Sequence, residues 1–183
     1  MEVIDDPEVV NAWCMAGGRM AVYTGLIQKL DPTDDELAQV LAHEISHALA
    51  NHTAERMSVA LATQAGVVLA GVLSDDAQKT MSRAAVAAAL AVQLPNSRTA
   101  ESEADEIGIE LAAKAGYNPN AAVSLWQKMA NVGGGGPPQF LSTHPSPANR
   151  QERLAELAPQ MMAYYEQARG NAPTRSVARA RVN

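Results

Sequence analysis

The sequence predicts a mainly helical α+β domain, with a small N-terminal sheet packed beside a central helix. Three observations carry that expectation. A glycine-linked pair of β-rich segments lies near the start, a train of helix-periodic segments separated by caps and breakers comes after it, and the apolar content is mostly alanine, valine and leucine. With one Phe and two Trp among 183 residues, small aliphatic side chains must do most of the packing, which suits helices lying close together. The length suits a single hydrophobic core. One domain is expected over 1–170, with a disordered, Arg-containing tail over 171–183.

The hairpin is expected over about 8–25. Val9 to Met15 and Arg19 to Thr24 are rich in strand-forming residues, and Gly17-Gly18 between them supplies a tight turn. The next element opens on a capping box. Pro32 precedes Thr33-Asp34-Asp35-Glu36, in which Thr33 caps and Glu36 reaches back. Leu37, Val40, Leu41, Ile45 and Ala48 then recur at helical spacing, giving a helix over about 34–51. Alanine-rich helices are expected from Glu55 to Leu73 and from Asp76 to Leu94. Pro95-Asn96-Ser97 stops the second and opens a helix over about 97–115. Gly116-Tyr117-Asn118-Pro119 ends that helix, and another runs from Asn120 to Ala130. Gly133 to Pro138 reads as an irregular loop. Ser146-Pro147 opens a helix, and a final one is expected around Met161 to Arg169.

Charge and composition exclude several classes of function. A net charge of −6 argues against a nucleic-acid partner, because phosphate neutralisation needs clustered Lys and Arg. The lone Cys14 excludes an internal disulfide. The acidic start, Met1-Glu2-Val3-Ile4-Asp5-Asp6, is expected to enter structure at once and is unlike a signal peptide. Met57 to Leu73 carries Ser58, Thr63 and Gln64 and is short for a bilayer span, so a buried or surface-lying helix is expected.

The chemistry is concentrated in His43-Glu44-Ile45-Ser46-His47. On a helix, positions i and i+4 lie one turn apart on one face, so both imidazoles can reach one ion. Glu44 is displaced around the helix, which suits a carboxylate that acts on water beside the metal. The alternative is a surface helix that happens to carry two histidines. The small residues Ala42, Ser46 and Ala48, and the scarcity of histidine, four in the chain, favour a site. His52, five residues past His47, is expected to point away from the pair. A catalytic zinc takes three protein ligands and leaves one position open. Cys14 is a poor third ligand, since a thiolate on an exposed catalytic zinc is prone to oxidation. The helix after Ser97 is the better source: Glu101 and Asp105 are i and i+4, with Gly108 continuing their face. One carboxylate can bind metal while the other accepts a hydrogen bond from a ligand imidazole. Glu103, Glu106 and Glu110 read as a solvated acidic face.

These residues resemble a known family. His43-Glu44-Ile45-Ser46-His47, followed by Ser97-Arg98-Thr99-Ala100-Glu101-Ser102-Glu103-Ala104-Asp105-Glu106-Ile107-Gly108, is similar to the motifs of the gluzincin metallopeptidases that include the CAAX prenyl endopeptidases and HtpX-like peptidases. Asn11-Ala12-Trp13 through Gly17-Gly18 to Tyr23-Thr24-Gly25 resembles the hairpin of the soluble bacterial and mitochondrial branch, as does Thr143-His144-Pro145 with Asn149-Arg150. Ala16 stands where that branch has proline, and Ser102 where it has an aromatic. The resemblance implies a gluzincin-like catalytic domain in which His43, His47 and Glu101 hold one catalytic Zn2+ and Asp105 supports a ligand. It also implies that the chain is a portion of a longer protein.

The expected mechanism rests on those roles. Zinc polarises the scissile carbonyl and activates the attacking water, and Glu44 takes the proton and passes it to the leaving amine. The oxyanion needs a further donor, for which His144, Arg150 and Tyr117 are the candidates. Alternatively, His144 occupies the open zinc position and holds the enzyme inactive. The strand Asn11, Ala12, Trp13, Cys14, Met15 and Ala16 is the candidate for pairing with an extended polypeptide substrate. The leading expectation is a zinc endopeptidase of protein quality control in a bacterial envelope, placed in the periplasm by resemblance alone. The competing one is a zinc-bearing chaperone-like scaffold whose proteolysis is weak or autoinhibited. The oligomeric state and the cleavage preference are not written in the sequence.

Overall fold

Gly17 and Gly18 both adopt positive φ, at 92° and 78°, the backbone that a short reversal between twisted strands requires. The computed structural model describes residues 1–15, 17–73, 76, 79, 83, 94–132, 140, 144 and 149–171. Around this turn, β1 (Glu2–Ile4), β2 (Ala12–Cys14) and β3 (Met20–Tyr23) form one sheet in the order β1-β3-β2. β2 runs antiparallel to β3 with Trp13 opposite Ala21, and β1 runs parallel to it with Val3 opposite Val22. The hairpin strands are shorter than expected. β1 is an addition, since three residues are too few to display strand alternation.

β2 is an edge strand, with no strand paired on its outer side among the described residues. The Asn11 carbonyl accepts from the Tyr23 N–H at 3.1 Å, and the Met15 N–H donates to the Arg19 carbonyl at 2.8 Å. An antiparallel ladder alternates, so Ala12 and Cys14 turn their backbone groups to the side away from β3. There the Ala12 N–H is taken by the Asn11 side-chain oxygen at 2.9 Å. The Val10 carbonyl accepts from the Phe140 N–H at 3.1 Å.

Six helices are found among the described residues: α1 (Thr24–Leu30), α2 (Asp34–Leu49), α3 (His52–Val72), α4 (Leu94–Lys114), α5 (Ala121–Asn131) and α6 (Arg150–Asn171). α1 is not announced by the sequence: its N-cap residue Tyr23 makes no side-chain capping bond, so no start signal stands there. α2 begins at the expected capping box, with the Thr33 hydroxyl accepting from the Glu36 N–H and the Glu36 carboxylate from the Thr33 N–H. α4 starts three residues earlier than expected, because Pro95 falls in its first turn, where no N–H is needed. α6 corrects the expectation of a short helix at 161–169. It runs unbroken through Pro159, although a proline can donate no bond to the Ala155 carbonyl. Buried Leu154 and Ala158 hold this part of the helix against its neighbours. The expected helix from Asp76, the Gly133–Pro138 loop, the Ser146-Pro147 helix start and the tail beyond Asn171 lie outside the described residues, apart from isolated positions.

The core gathers Val22, Leu26, Val40, Ile109, Trp126, Phe140 and Leu154, so α2 lies between the sheet and the other helices. Its closest neighbour is α4, with α5 and β2 on its other sides. None of the described helices is long and apolar enough to cross a membrane.

The start of α2 is also locked to α5. Buried Glu36 accepts from Lys128 at 2.6 Å and from Ser124 at 2.7 Å, besides the Thr33 N–H. Burial alone would raise this carboxyl, but the bonds from Lys128, Ser124 and Thr33 hold it below its usual value of 4.5. A depressed carboxyl contributes stability that is fully present above 4.5 and is lost as pH falls through its lowered folded value. Lys128→Met should therefore cost about 1–2 kcal/mol at neutral pH, read by urea unfolding at pH 7. The difference from wild type should shrink when the same titration is repeated at pH 3.

Candidate metal centre

The site is built where α2 and α4 come closest. A Cβ on Gly108 would lie 3.1 Å from both the Cα and the N of His43, so any larger residue there makes the facing backbone give by a few tenths of an ångström. Buried Ala100, Ala104 and Ala112 extend the same small-residue face of α4. The close approach brings Glu101, fully buried, under the two buried imidazoles of α2.

The ring nitrogens and carboxylate oxygens of these residues converge. His43 Nε2 lies 3.2 Å from Glu101 Oε2, and His47 Nε2 lies 3.3 Å from Glu101 Oε1. The two Nε2 atoms are 3.1 Å apart. His144 adds a fourth group, its Nδ1 at 3.1 Å from Glu101 Oε2 and 3.3 Å from His43 Nε2. Ligand atoms from His43, His47, Glu101 and His144 all fall within 4.8 Å of one another. Three imidazole nitrogens and a carboxylate pointing at one spot repel unless protons or a cation lie between them. Nitrogen ligands with one carboxylate are a donor set that suits a divalent metal of the zinc type.

The electrostatics divide the two helix histidines. Burial by itself would lower His43, yet its hydrogen bonds to Asp105 and Glu101 carry it up to about 9. Burial drives His47 down to about 4, against the pull of Glu101. Burial would raise Glu101, but contacts from His144, His43 and His47 hold it well below the usual carboxylate range. A cation entering this cluster thus competes with a proton on His43.

Asp105, Arg150, Glu44 and Cys14 stand around the cluster. Asp105 Oδ1 lies 3.0 Å from His43 Nδ1, one turn of α4 beyond Glu101. Arg150, buried at the start of α6, sends Nη2 to Asp105 Oδ1 at 2.5 Å and lays its guanidinium 3.4 Å from the centroid of the Trp126 ring. It stands behind His43, with Nη1 at 3.7 Å from Glu101. Glu44 Oε1 is buried without a hydrogen-bond partner and lies 3.3 Å from His144 Nε2. Burial pushes the Glu44 carboxyl up, while His144, His43 and the Cys14 backbone N–H oppose that rise. Cys14 therefore brings the open side of β2 next to Glu44, and burial raises its own thiol. Asn11 and Ala12 are buried, Trp13 is half-buried, Met15 is exposed, and Ala16 lies outside the described residues. Tyr117 is remote from the cluster. Its neighbour Asn118 bonds Asp35 at the start of α2, eight residues or about 12 Å along the helix from His43.

Two residues stand differently from the expectation. His52 does not point away: its Nδ1 is 3.0 Å from His47 Nδ1. Glu103 is not simply a solvated charge, since its carboxylate lies 3.3 Å from His52 Nε2. Spacing misses this pair because α2 ends at Leu49 and a new helix begins at His52, so five-residue helical geometry does not apply across that break.

The profile of peptidase family M48 matches residues 1–158. The chain is 39% identical over 155 residues to the mitochondrial metalloendopeptidase OMA1 of Arabidopsis thaliana, an alignment covering 84% of this chain and 30% of that protein. It is 32% identical over 167 residues to a putative beta-barrel assembly-enhancing protease of Vibrio cholerae, covering 84% and 34%. With the metalloprotease YcaL of Escherichia coli it shares 30% identity over 151 residues, covering 80% and 58%. The chain thus spans roughly a third to just over half of the length of these relatives.

The Gly108 contact makes a direct test of the site's construction. Gly108→Val should push α4 away from α2, costing about 1–3 kcal/mol as overpacking does. Because Glu101 and Asp105 ride on α4, zinc retained after dialysis, measured by elemental analysis, should fall together with the melting temperature.

Proposed function

This chain belongs to peptidase family M48, and on that premise we propose that it carries the active centre of a zinc-dependent endopeptidase acting on extended polypeptides. One observation carries the reading. His43 Nε2, His47 Nε2 and the Glu101 carboxylate converge, while the Oε1 of Glu44, which makes no hydrogen bond, lies at their side next to the outer edge of β2.

His43, His47 and Glu101 would hold the ion, whose contribution when bound is Lewis-acid polarisation of the scissile carbonyl and acidification of water. Glu44 takes a proton from the attacking water at Oε1 and returns it to the leaving amine. Its raised proton affinity, a result of burial, suits a group that must accept a proton near neutral pH. Asp105 accepts from His43 Nδ1, which leaves the Nε2 lone pair facing the cluster. Arg150 holds Asp105 in place through its Nη2 contact, so it acts through Asp105. Its position behind His43 supports this role better than contact with substrate.

The substrate lies along β2. The carbonyls of Ala12 and Cys14 face the open side, and an extended peptide can pair with them whatever its side chains. Such pairing requires an unfolded segment, which fits protein quality control; the relative named for beta-barrel assembly supports a bacterial envelope as the setting, whereas the relatives named OMA1 are mitochondrial. His144 stands in the fourth position with its Nε2 toward Glu44, which supports the autoinhibited form of the second reading. Substrate must displace His144 to reach the centre.

The test is cleavage of casein by zinc-loaded protein. Wild type should cleave, and Glu44→Gln should lose at least about a hundredfold in rate, the scale of general-base catalysis, while retaining zinc. His144→Ala should cleave faster than wild type. Zinc binding with no cleavage by wild type or by His144→Ala would favour the scaffold reading instead.

A further inference from the structure

We propose that His52 and Glu103 form a hydrogen-bonded relay that fixes the tautomer and orientation of His47, making them positioning residues for the metal centre. The proposal rests on the reading of His43, His47 and Glu101 as metal ligands.

The backbone builds the contact. α2 closes with the Ala50 N–H on the Ser46 carbonyl at 2.9 Å, and Asn51 then takes a left-handed conformation at φ 58°. Asparagine tolerates that region better than other residues with a side chain. The chain reverses at this residue, and the Asn51 carbonyl accepts from the Glu55 N–H at 3.0 Å as α3 begins. His52, the first residue of α3, is folded back over the last turn of α2. It is 3% exposed although most of α3 is open to solvent. Its ring meets that of His47 edge-on, with centroids 5.0 Å apart at 69°.

The protons along the relay have one consistent arrangement for neutral rings. The Glu103 carboxylate only accepts, so His52 Nε2, at 3.3 Å, carries the proton. A neutral His52 then presents a lone pair at Nδ1. That lone pair, 3.0 Å from His47 Nδ1, accepts the His47 Nδ1 proton. His47 Nε2 is left with its lone pair toward Glu101 and His43, as a metal ligand requires. The two ligand histidines are thus served from the same helix by different routes. Asp105 reaches His43 directly, whereas Glu103, turned around α4 from Glu101, reaches His47 only through His52.

Zinc affinity measured by chelator competition, beside unfolding of the metal-free proteins, tests the relay without using activity. His52→Leu fills the same space with no acceptor and should weaken zinc binding on the order of 10–100-fold, the usual cost of losing a partner behind a metal ligand. His52→Asn places an amide oxygen where Nδ1 stands and should recover most of that loss. Glu103→Ala alters a half-exposed side chain, so it should fold like wild type and lose about threefold to tenfold in affinity. Wild-type affinity in His52→Leu overturns the proposal, as does equal weakening of the Leu and Asn variants. If His52→Leu fails to fold, unchanged affinity in Glu103→Ala overturns it by itself. Absence of zinc binding by wild type is a separate outcome, which overturns the metal centre and the relay with it.

Discussion

Where Gly108 meets the backbone of His43, α2 and α4 lie so close that a Cβ added there would stand 3.1 Å from the His43 Cα and N and would push the helices apart by a few tenths of an ångström. This approach sets the positions of nearly every ionisable group in the centre. Glu101 and Asp105 lie on the same face of α4 as Gly108, so the distance set there is carried along the helix to both carboxylates. His43 is at the contact itself and His47 one turn beyond it. Alanines along the rest of the interface keep the approach close. A composition poor in large side chains, ordinary as a packing strategy, is what this geometry needs.

Bringing the helices so close buries charge, and the surroundings are arranged to offset the cost. An isolated carboxylate without exposure would be strongly destabilising, yet Glu101 is surrounded by three imidazoles. Asp105 is paired with Arg150, whose guanidinium lies on the face of Trp126, a cation–π contact that shields the charge from apolar surroundings. The outer groups are asymmetric. Behind His43 stand a carboxylate, a guanidinium and an indole, all buried. Behind His47 stands an imidazole backed by a carboxylate at the surface, which is the wetter and more easily altered side of the centre.

The sheet and the fourth imidazole are tied together. Phe140 donates to Val10 on the same outer side of β2 to which Ala12 and Cys14 turn their carbonyls, and its carbonyl accepts from the His144 N–H at 2.8 Å. The rings of Phe140 and His144 are stacked, with centroids 4.4 Å apart. One short stretch of chain therefore holds both the limit of the open strand edge and the group facing Glu44.

Much of this is legible because it is local. Thr33 and Glu36 announce the start of α2 within four residues, and His43 and His47 share a face because helical geometry dictates it. Glu101, Asp105 and Gly108 declare a second face in the same way. α1 is hidden because Tyr23 offers no cap, and α6 looks shorter than it is because Pro159 resembles a stop when its packing is unseen. The sequence by itself determined the helical face of the metal centre, its acidic counterpart and the hairpin turn. Tertiary structure alone decided that Gly108 sits against His43, that Arg150 reaches Asp105 over Trp126, that His144 joins the cluster of His43, His47 and Glu101, and that His52 turns back onto His47. The physical reason is range: periodicity and capping are encoded over a turn or two of chain, whereas these contacts depend on how closely distant segments pack and on one left-handed residue between two helices.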